Sequence, residues 1–276
     1  MAGALIIVLR EAIEAGLIIG IVLAATRGIP LRTRYVAGGI FVGLLGAILV
    51  AFFAGAISNA LAGAGQEVFN AAVLGLAVIM LAWHNIWMAR HGRQMSEDMR
   101  RLGRDVGSGS RSLMALAAVV GLALLREGSE VVLFLYGVVV SSGESGTSLL
   151  LGGVLGLLLG AGISALAYRG LAIIPPRHLF KVTGVLIAFM AAGMAAQSVA
   201  FLEQADIATA LGGIVWNSSS LLADNSIAGR VLHTLLGYTG KPTQLQLLVY
   251  LATLGTIFTL MKLAAPAGPN HRLATN

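Results

Sequence analysis

Leu9-Arg10-Glu11-Ala12-Ile13-Glu14-Ala15-Gly16-Leu17 stands in the middle of an apolar run, and its skeleton returns 116 residues later as Leu125-Arg126-Glu127-Gly128-Ser129-Glu130-Val131-Val132-Leu133. A stretch of about 20 apolar residues crosses roughly 30 Å of hydrocarbon at 1.5 Å per residue. Glu11 and Glu14 lie about ten residues into their stretch, hence roughly 15 Å deep, and Glu127 and Glu130 sit similarly in theirs. An ionisable side chain at such a depth opposes insertion by about 2.5–3.5 kcal/mol, so the six charges together oppose it by roughly 15–20 kcal/mol if independent. A burden repeated twice calls for pairing or for function.

Working outward, 57% of the 276 residues are apolar and only 11% are charged, against about 25% charge in soluble domains. The chain therefore reads as an all-α polytopic membrane protein. Apolar windows of spanning length fall at 2–25, 35–58, 67–89, 112–140, 147–168, 179–202 and 244–264, seven in all. Met1 to Leu9 carries no Lys or Arg and the first window has charges at its centre, so it reads as a retained helix rather than a signal peptide. The absence of cysteine excludes disulfides, thiolate metal sites and cysteine nucleophiles.

The second and fifth windows repeat as well. Gly38-Gly39 and Leu44-Leu45-Gly46-Ala47 return as Gly152-Gly153 and Leu158-Leu159-Gly160-Ala161. Three helices followed by three more, entering from opposite sides, predict two inverted-topology repeats plus one helix, a layout typical of secondary transporters. The expected boundaries are 2–89 for the first repeat, 112–202 for the second and 244–264 for the last helix. Gly16-x-x-x-Gly20, Gly39-x-x-x-Gly43 and Gly152-x-x-x-Gly156-x-x-x-Gly160 offer small faces for close helix packing. On a helical projection, Gly16 and Gly20 lie opposite Glu11 and Glu14.

Alternate connections hold Arg27, Arg32 and Arg34, then Arg90 through Arg111, then Arg169, Arg177 and Lys181, then Lys262 and Arg272, whereas the other side has only Arg230 and Lys241. Positive residues mark the cytoplasmic face, which puts the N-terminus outside and the C-terminus inside. The net charge of +6 is thus largely topology and argues against a nucleic-acid partner. Residues 90–111 read as an Arg-rich flexible cytoplasmic loop. Residues 203–243 read as an outer loop in which Ser226 caps a short helix whose Ile227, Val231, Leu235 apolar stripe makes it an amphipathic segment lying on or dipping into the outer face.

Arg10 with Glu14 and Arg126 with Glu130 are i,i+4 pairs that can neutralise one another. Glu11 and Glu127 are then left over, and two facing carboxylates at the midplane either take up protons or hold a cation. Carboxylate oxygens suit hard or borderline cations. Four Glu and two Arg carry a net −2, which becomes zero with a divalent ion and +1 with a trivalent one.

With Trp83 to Arg93 (WHNIWMARHGR) and Leu232 to Pro242 (LHTLLGYTGKP) added to the two R-E-x-x-E motifs, the chain resembles the high-affinity, oxidase-dependent iron permeases of the iron/lead transporter group. The resemblance implies one permease domain over residues 1–276 in the cell membrane, importing iron, in its ferric form, from a separate oxidase or extracytoplasmic iron-donor protein. It implies Glu11, Glu14, Glu127 and Glu130 as metal ligands, with Arg10 and Arg126 holding them, and no prosthetic group. Ala12 and Ser129 depart from the family pattern, and Ser129 adds a hydroxyl beside the site.

Two other readings compete. One is a permease for another cation, such as ferrous iron, manganese or lead; the other is a proton-handling or metal-sensing membrane protein without net transport. No Glu-x-x-His occurs, which argues against a di-iron carboxylate enzyme. Glu203 and Asp206 are candidates for receiving metal at the outer face, or are a solvated helix end. Trp83 and Trp87 are expected in an interfacial aromatic belt with His84 beside them, and Met190 and Met194 as core packing.

Overall fold

The computed structural model describes residues 1–60, 66–170, 176–224 and 226–264. They form helices α1 (Ala2–Ala25), α2 (Arg32–Ala60), α3 (Gln66–Gly107), α4 (Leu113–Ser142), α5 (Gly146–Tyr168), α6 (Pro176–Gln204), α7 (Ile227–Leu236) and α8 (Gln244–Ala264), and no strand among the described residues. Five helices, α2, α3, α5, α6 and α8, are long and apolar enough to cross a membrane. The other two long helices, α1 and α4, are the ones that carry Arg-Glu-x-x-Glu at their centres.

Local chemistry sets the helix ends. Arg32 donates from Nη1 to the Leu23 carbonyl at 2.8 Å, placing a cation on the orphan carbonyls of the α1 C-terminus. The α4 helix stops at Gly143, in the left-handed conformation at φ 59°, which glycine adopts without a Cβ penalty. Ser145 then caps α5, accepting from the Ser148 amide. The Met1 ammonium pairs with Glu144 in the same turn, so the chain's first residue and the α4–α5 turn share one end of the bundle.

Helix α1 packs along α5 and helix α2 along α4. Both contacts run parallel and on glycine. A Cβ at Gly156 would lie 2.6 Å from the Leu5 carbonyl oxygen, and one at Gly43 would lie 2.6 Å from the Gly121 carbonyl oxygen. Gly20 faces Tyr168 of α5, so the glycine face of α1 is its packing face. Conversely α1 runs antiparallel to α4, with Gly3 near Val138 and Val22 clustered with Leu116 and Val120. α3 runs antiparallel to α6, tied by Asn85 Nδ2 to the Gly184 carbonyl at 2.9 Å and by Ser198 Oγ to the Ala71 carbonyl at 2.8 Å.

Two apolar clusters result. One gathers Ile7, Leu74, Leu81, Phe134, Val138, Ile187, Met190 and Met194, so both methionines are core packing as expected. The other gathers Val22, Val36, Leu102, Val106, Leu116, Val120 and Leu124. Large side chains of α2 and α5, among them Phe41, Phe52, Leu150 and Leu158, stay exposed, and apolar surface of that extent in a long-helix bundle faces lipid.

Two expectations change, the loop at 90–107 and the register of the repeat. Residues 90–107, expected as flexible loop, continue α3 as one 42-residue helix, because Leu102 and Val106 bury in the second cluster and Gly103 abuts Ala25. Ser226 caps α7 as expected, accepting from the Gly229 amide at 2.9 Å; the buried residues of that helix are Gly229 and Thr234, and Ile227 at the head of the apolar stripe is 79% exposed. The small residues win this face because it packs closely, with Thr234 against Gly3. Ala12 and Gly128, equivalent by sequence, face Gly160 and Ala47, so the contacts match α2 to α5 one residue away from the Gly38-Gly39 and Gly152-Gly153 alignment.

Candidate metal centre between α1, α3 and α4

The two motifs meet. Both lie between the apolar clusters, residues 10–14 on α1 and 126–130 on α4, and α3 inserts His84 beside them. Arg10, Glu11, Glu14, His84 and Glu127 are each no more than 5% exposed. Arg126 is different: its side chain is 38% exposed, and that of Glu130 is 13% exposed.

Both expected i,i+4 pairs form. Arg10 Nε lies 3.1 Å from Glu14 Oε1, and Arg126 Nε donates to Glu130 Oε1 at 3.0 Å. Arg10 also reaches Glu11 Oε1 through Nη1 at 3.4 Å. The Arg126 guanidinium stacks on the Trp87 ring, 4.4 Å from its centroid, a cation–π contact that holds the arginine where the helix leaves it half-exposed. Oε2 of Glu11, Glu127 and Glu130 and both carboxylate oxygens of Glu14 are buried without a hydrogen-bond partner. All four motif glutamates thus present an oxygen to the cluster that no hydrogen bond satisfies.

His84 presses Nδ1 against the Glu130 carboxylate and sets Nε2 3.4 Å from Glu14 Oε2 and 3.8 Å from Glu11 Oε2. Glu11, His84, Glu127 and Glu130 each offer one ligand atom, all within 4.8 Å of one another. Bonds of about 2.0–2.2 Å from a central ion reach donors at that spacing after small adjustments. Such a cluster can bind a cation, relay protons, or both.

A third window ending at residue 89 puts His84 at a membrane boundary. The contacts of His84 with Glu14 and Glu130, and the stacking of Arg126 on Trp87, put both residues at the level of the motifs instead. Trp83 remains exposed at 71%. Ser129 does not add its hydroxyl to the cluster; it donates to the Leu125 carbonyl of its own helix at 2.6 Å. Glu203 and Asp206 stay at the end of α6, away from the motifs. Glu203 accepts from Thr243 Oγ1 at 2.7 Å and from Gln246 Nε2 at 2.6 Å, and Asp206 is exposed at φ 56°.

The sequence matches the iron permease FTR1 family over residues 1–267. The chain belongs to this family. It is a multi-pass membrane protein, and its permease family is one of transporters. Among similar proteins, the ferrous iron permease EfeU of Shigella sonnei is 28% identical over 275 residues, covering 98% of this chain and 96% of the relative. The protein of the same name from Escherichia coli O157:H7 gives the same values, and that from Yersinia pestis is 26% identical over 250 residues, covering 89% and 87%. No solved structure matches this permease-family chain.

Proposed function

We propose that this permease imports iron across the cell membrane, passing it through a midplane site built by Glu11, Glu14, Glu127 and Glu130. The observation that carries this is the meeting of the two Arg-Glu-x-x-Glu motifs, from helices far apart in sequence, in one buried acidic cluster. Arg10 and Arg126 hold Glu14 and Glu130 and limit the net charge, while Glu11 and Glu127 supply the oxygen ligands that no arginine neutralises in full. With neutral His84 the cluster carries a formal −2, which a divalent ion cancels; charge left over in a low-dielectric site is strongly disfavoured. Ferrous iron is therefore the ion we assign, in keeping with the name of the relatives. Ferric iron handed over by a separate oxidase or extracytoplasmic donor protein is the second reading, favoured by the resemblance to oxidase-dependent permeases.

The path fits a frame of seven spans, α1 to α6 and α8, in two inverted three-helix repeats followed by α8, with the N-terminus outside. The antiparallel setting of α1 against α4 and of α3 against α6 supports that frame, as does the arginine bias of alternate connections. A site between the two repeats is where inverted-repeat transporters hold their substrate.

The test is uptake of labelled iron by cells lacking their own iron permease, comparing wild type with Glu127→Gln under reducing and oxidising conditions at matched membrane abundance. Uptake by wild type under reducing conditions, lost in the variant, is expected. Equal uptake by both proteins would remove the glutamates from the path, and uptake confined to oxidising conditions with an oxidase present would establish the ferric reading.

A further inference from the structure

We propose that His84 is a direct nitrogen ligand of the transported ion and the residue that makes the site prefer iron to harder divalent cations. This rests on the reading of the glutamate cluster as the ion site and adds to it a ligand from a third helix, outside either motif.

Three observations on geometry carry it. His84 is 2% exposed, so its ring has no water to satisfy it. Both ring nitrogens are buried among carboxylates without a hydrogen bond, Nδ1 abutting Glu130 and Nε2 facing Glu14 Oε2 at 3.4 Å and Glu11 Oε2 at 3.8 Å. A neutral imidazole carries one N–H and one lone pair. With the N–H given to Glu130, the lone pair on Nε2 points at carboxylate oxygens, and electron-rich atoms facing one another are stabilised by a cation between them. This is also the arrangement of ligating histidines in general, whose second nitrogen is fixed by a carboxylate. Finally, the ring is fixed from both sides. Phe134 packs edge-on at 6.4 Å between centroids, and the neighbouring Asn85 ties α3 to the Gly184 carbonyl of α6.

Selectivity follows from ligand chemistry. Magnesium and calcium gain little from an imidazole, while affinity for nitrogen rises from manganese to iron along the first-row series. An all-carboxylate site would admit these ions with little discrimination; a site of carboxylates with one imidazole ranks Fe²⁺ above Mn²⁺ and both above Ca²⁺.

Two measurements test this. Pulsed EPR of the purified full chain loaded with Cu²⁺ as probe, with Glu127→Gln as the control that identifies the site, should show imidazole nitrogen coupling in wild type and lose it in His84→Gln. Competition uptake of Fe²⁺ against Mn²⁺ should show the preference for iron lost in His84→Gln, with protein still in the membrane. Absence of nitrogen coupling from wild type, in copper that Glu127→Gln releases, would overturn the ligand assignment without any need for the His84 variant to fold. An unchanged iron-to-manganese ratio in an inserted His84→Gln protein would overturn the selectivity role. If wild type neither accumulates iron nor binds copper in a Glu127-dependent way, the failure lies with the glutamate site itself, and His84 falls with it.

Discussion

Ala12 on α1 meets Gly160 on α5 so closely that a Cβ added to Gly160 would lie 2.6 Å from the Ala12 Cβ. At the reciprocal crossing the residues trade places, for Gly128 on α4 faces Ala47 on α2, with 2.5 Å between an added Cβ and the Ala47 Cβ. Each crossing has room for one methyl group. The alanine that departs from the family pattern at position 12 is thus accommodated by the glycine at 160.

Gly160→Leu and Gly128→Leu should each lower the thermal stability of the purified protein, since overpacking a tight contact costs about 1–3 kcal/mol. Gly162→Leu is the control, because nothing lies within 4 Å of a Cβ at that position. Thermal unfolding in detergent checks the set; equal losses at 160 and 162 would mean that leucine itself, not the crossing, is responsible.

The two arginines should not be equivalent, although the motifs are. Arg10 is 2% exposed and serves both Glu11 and Glu14, so Arg10→Gln leaves buried carboxylates unpaired, a loss of about 3–5 kcal/mol. Arg126 pairs with Glu130 alone, and that carboxylate keeps His84 against it when Arg126→Gln removes the arginine. The expected order is a steep fall in folded membrane protein for the first and a modest one for the second, measured as monodisperse yield and unfolding temperature.

How much of this was legible beforehand divides by kind of residue. The helical class, the motif pairs and the glycine faces all follow from local patterns, charge within an apolar run or small residues at i,i+4, and all of them appear in the fold. His84 was not legible, because its meaning depends on meeting Glu14 and Glu130 of other helices, nor was the helix at 100–107, because it depends on Leu102 and Val106 finding Val22, Val36 and Leu116. No local pattern in an Arg-rich segment announces a tertiary contact. The same holds for Glu203, whose partners Thr243 and Gln246 come from another helix start.

Glu203 separates a structural role from metal recruitment. Its carboxylate joins the end of α6 to the start of α8 by hydrogen bonds to a charged acceptor, worth about 1.5–3 kcal/mol each. Glu203→Ala should therefore lower stability, and leave the iron concentration for half-maximal uptake unchanged in the protein that remains folded. A raised half-saturation concentration with unaltered stability would show instead that this carboxylate gathers iron at the outer face.

The continuation of α3 makes the last prediction, and hydrogen exchange distinguishes it from the loop expected for 90–111. A flexible loop exchanges its amides within the dead time, whereas a helix pinned by burial exchanges only through opening of the contact. Amides of residues 100–107 should be protected in the wild-type protein. Leu102, 5% exposed, and Val106, 6% exposed, supply the pinning, so Leu102→Ala should lose about 2–5 kcal/mol of local stability and speed exchange there by at least about ten-fold. Exchange at Leu74 and Leu81, whose packing belongs to the other apolar cluster, should stay as it was. Fast exchange across 100–107 in the wild type would return that segment to a loop.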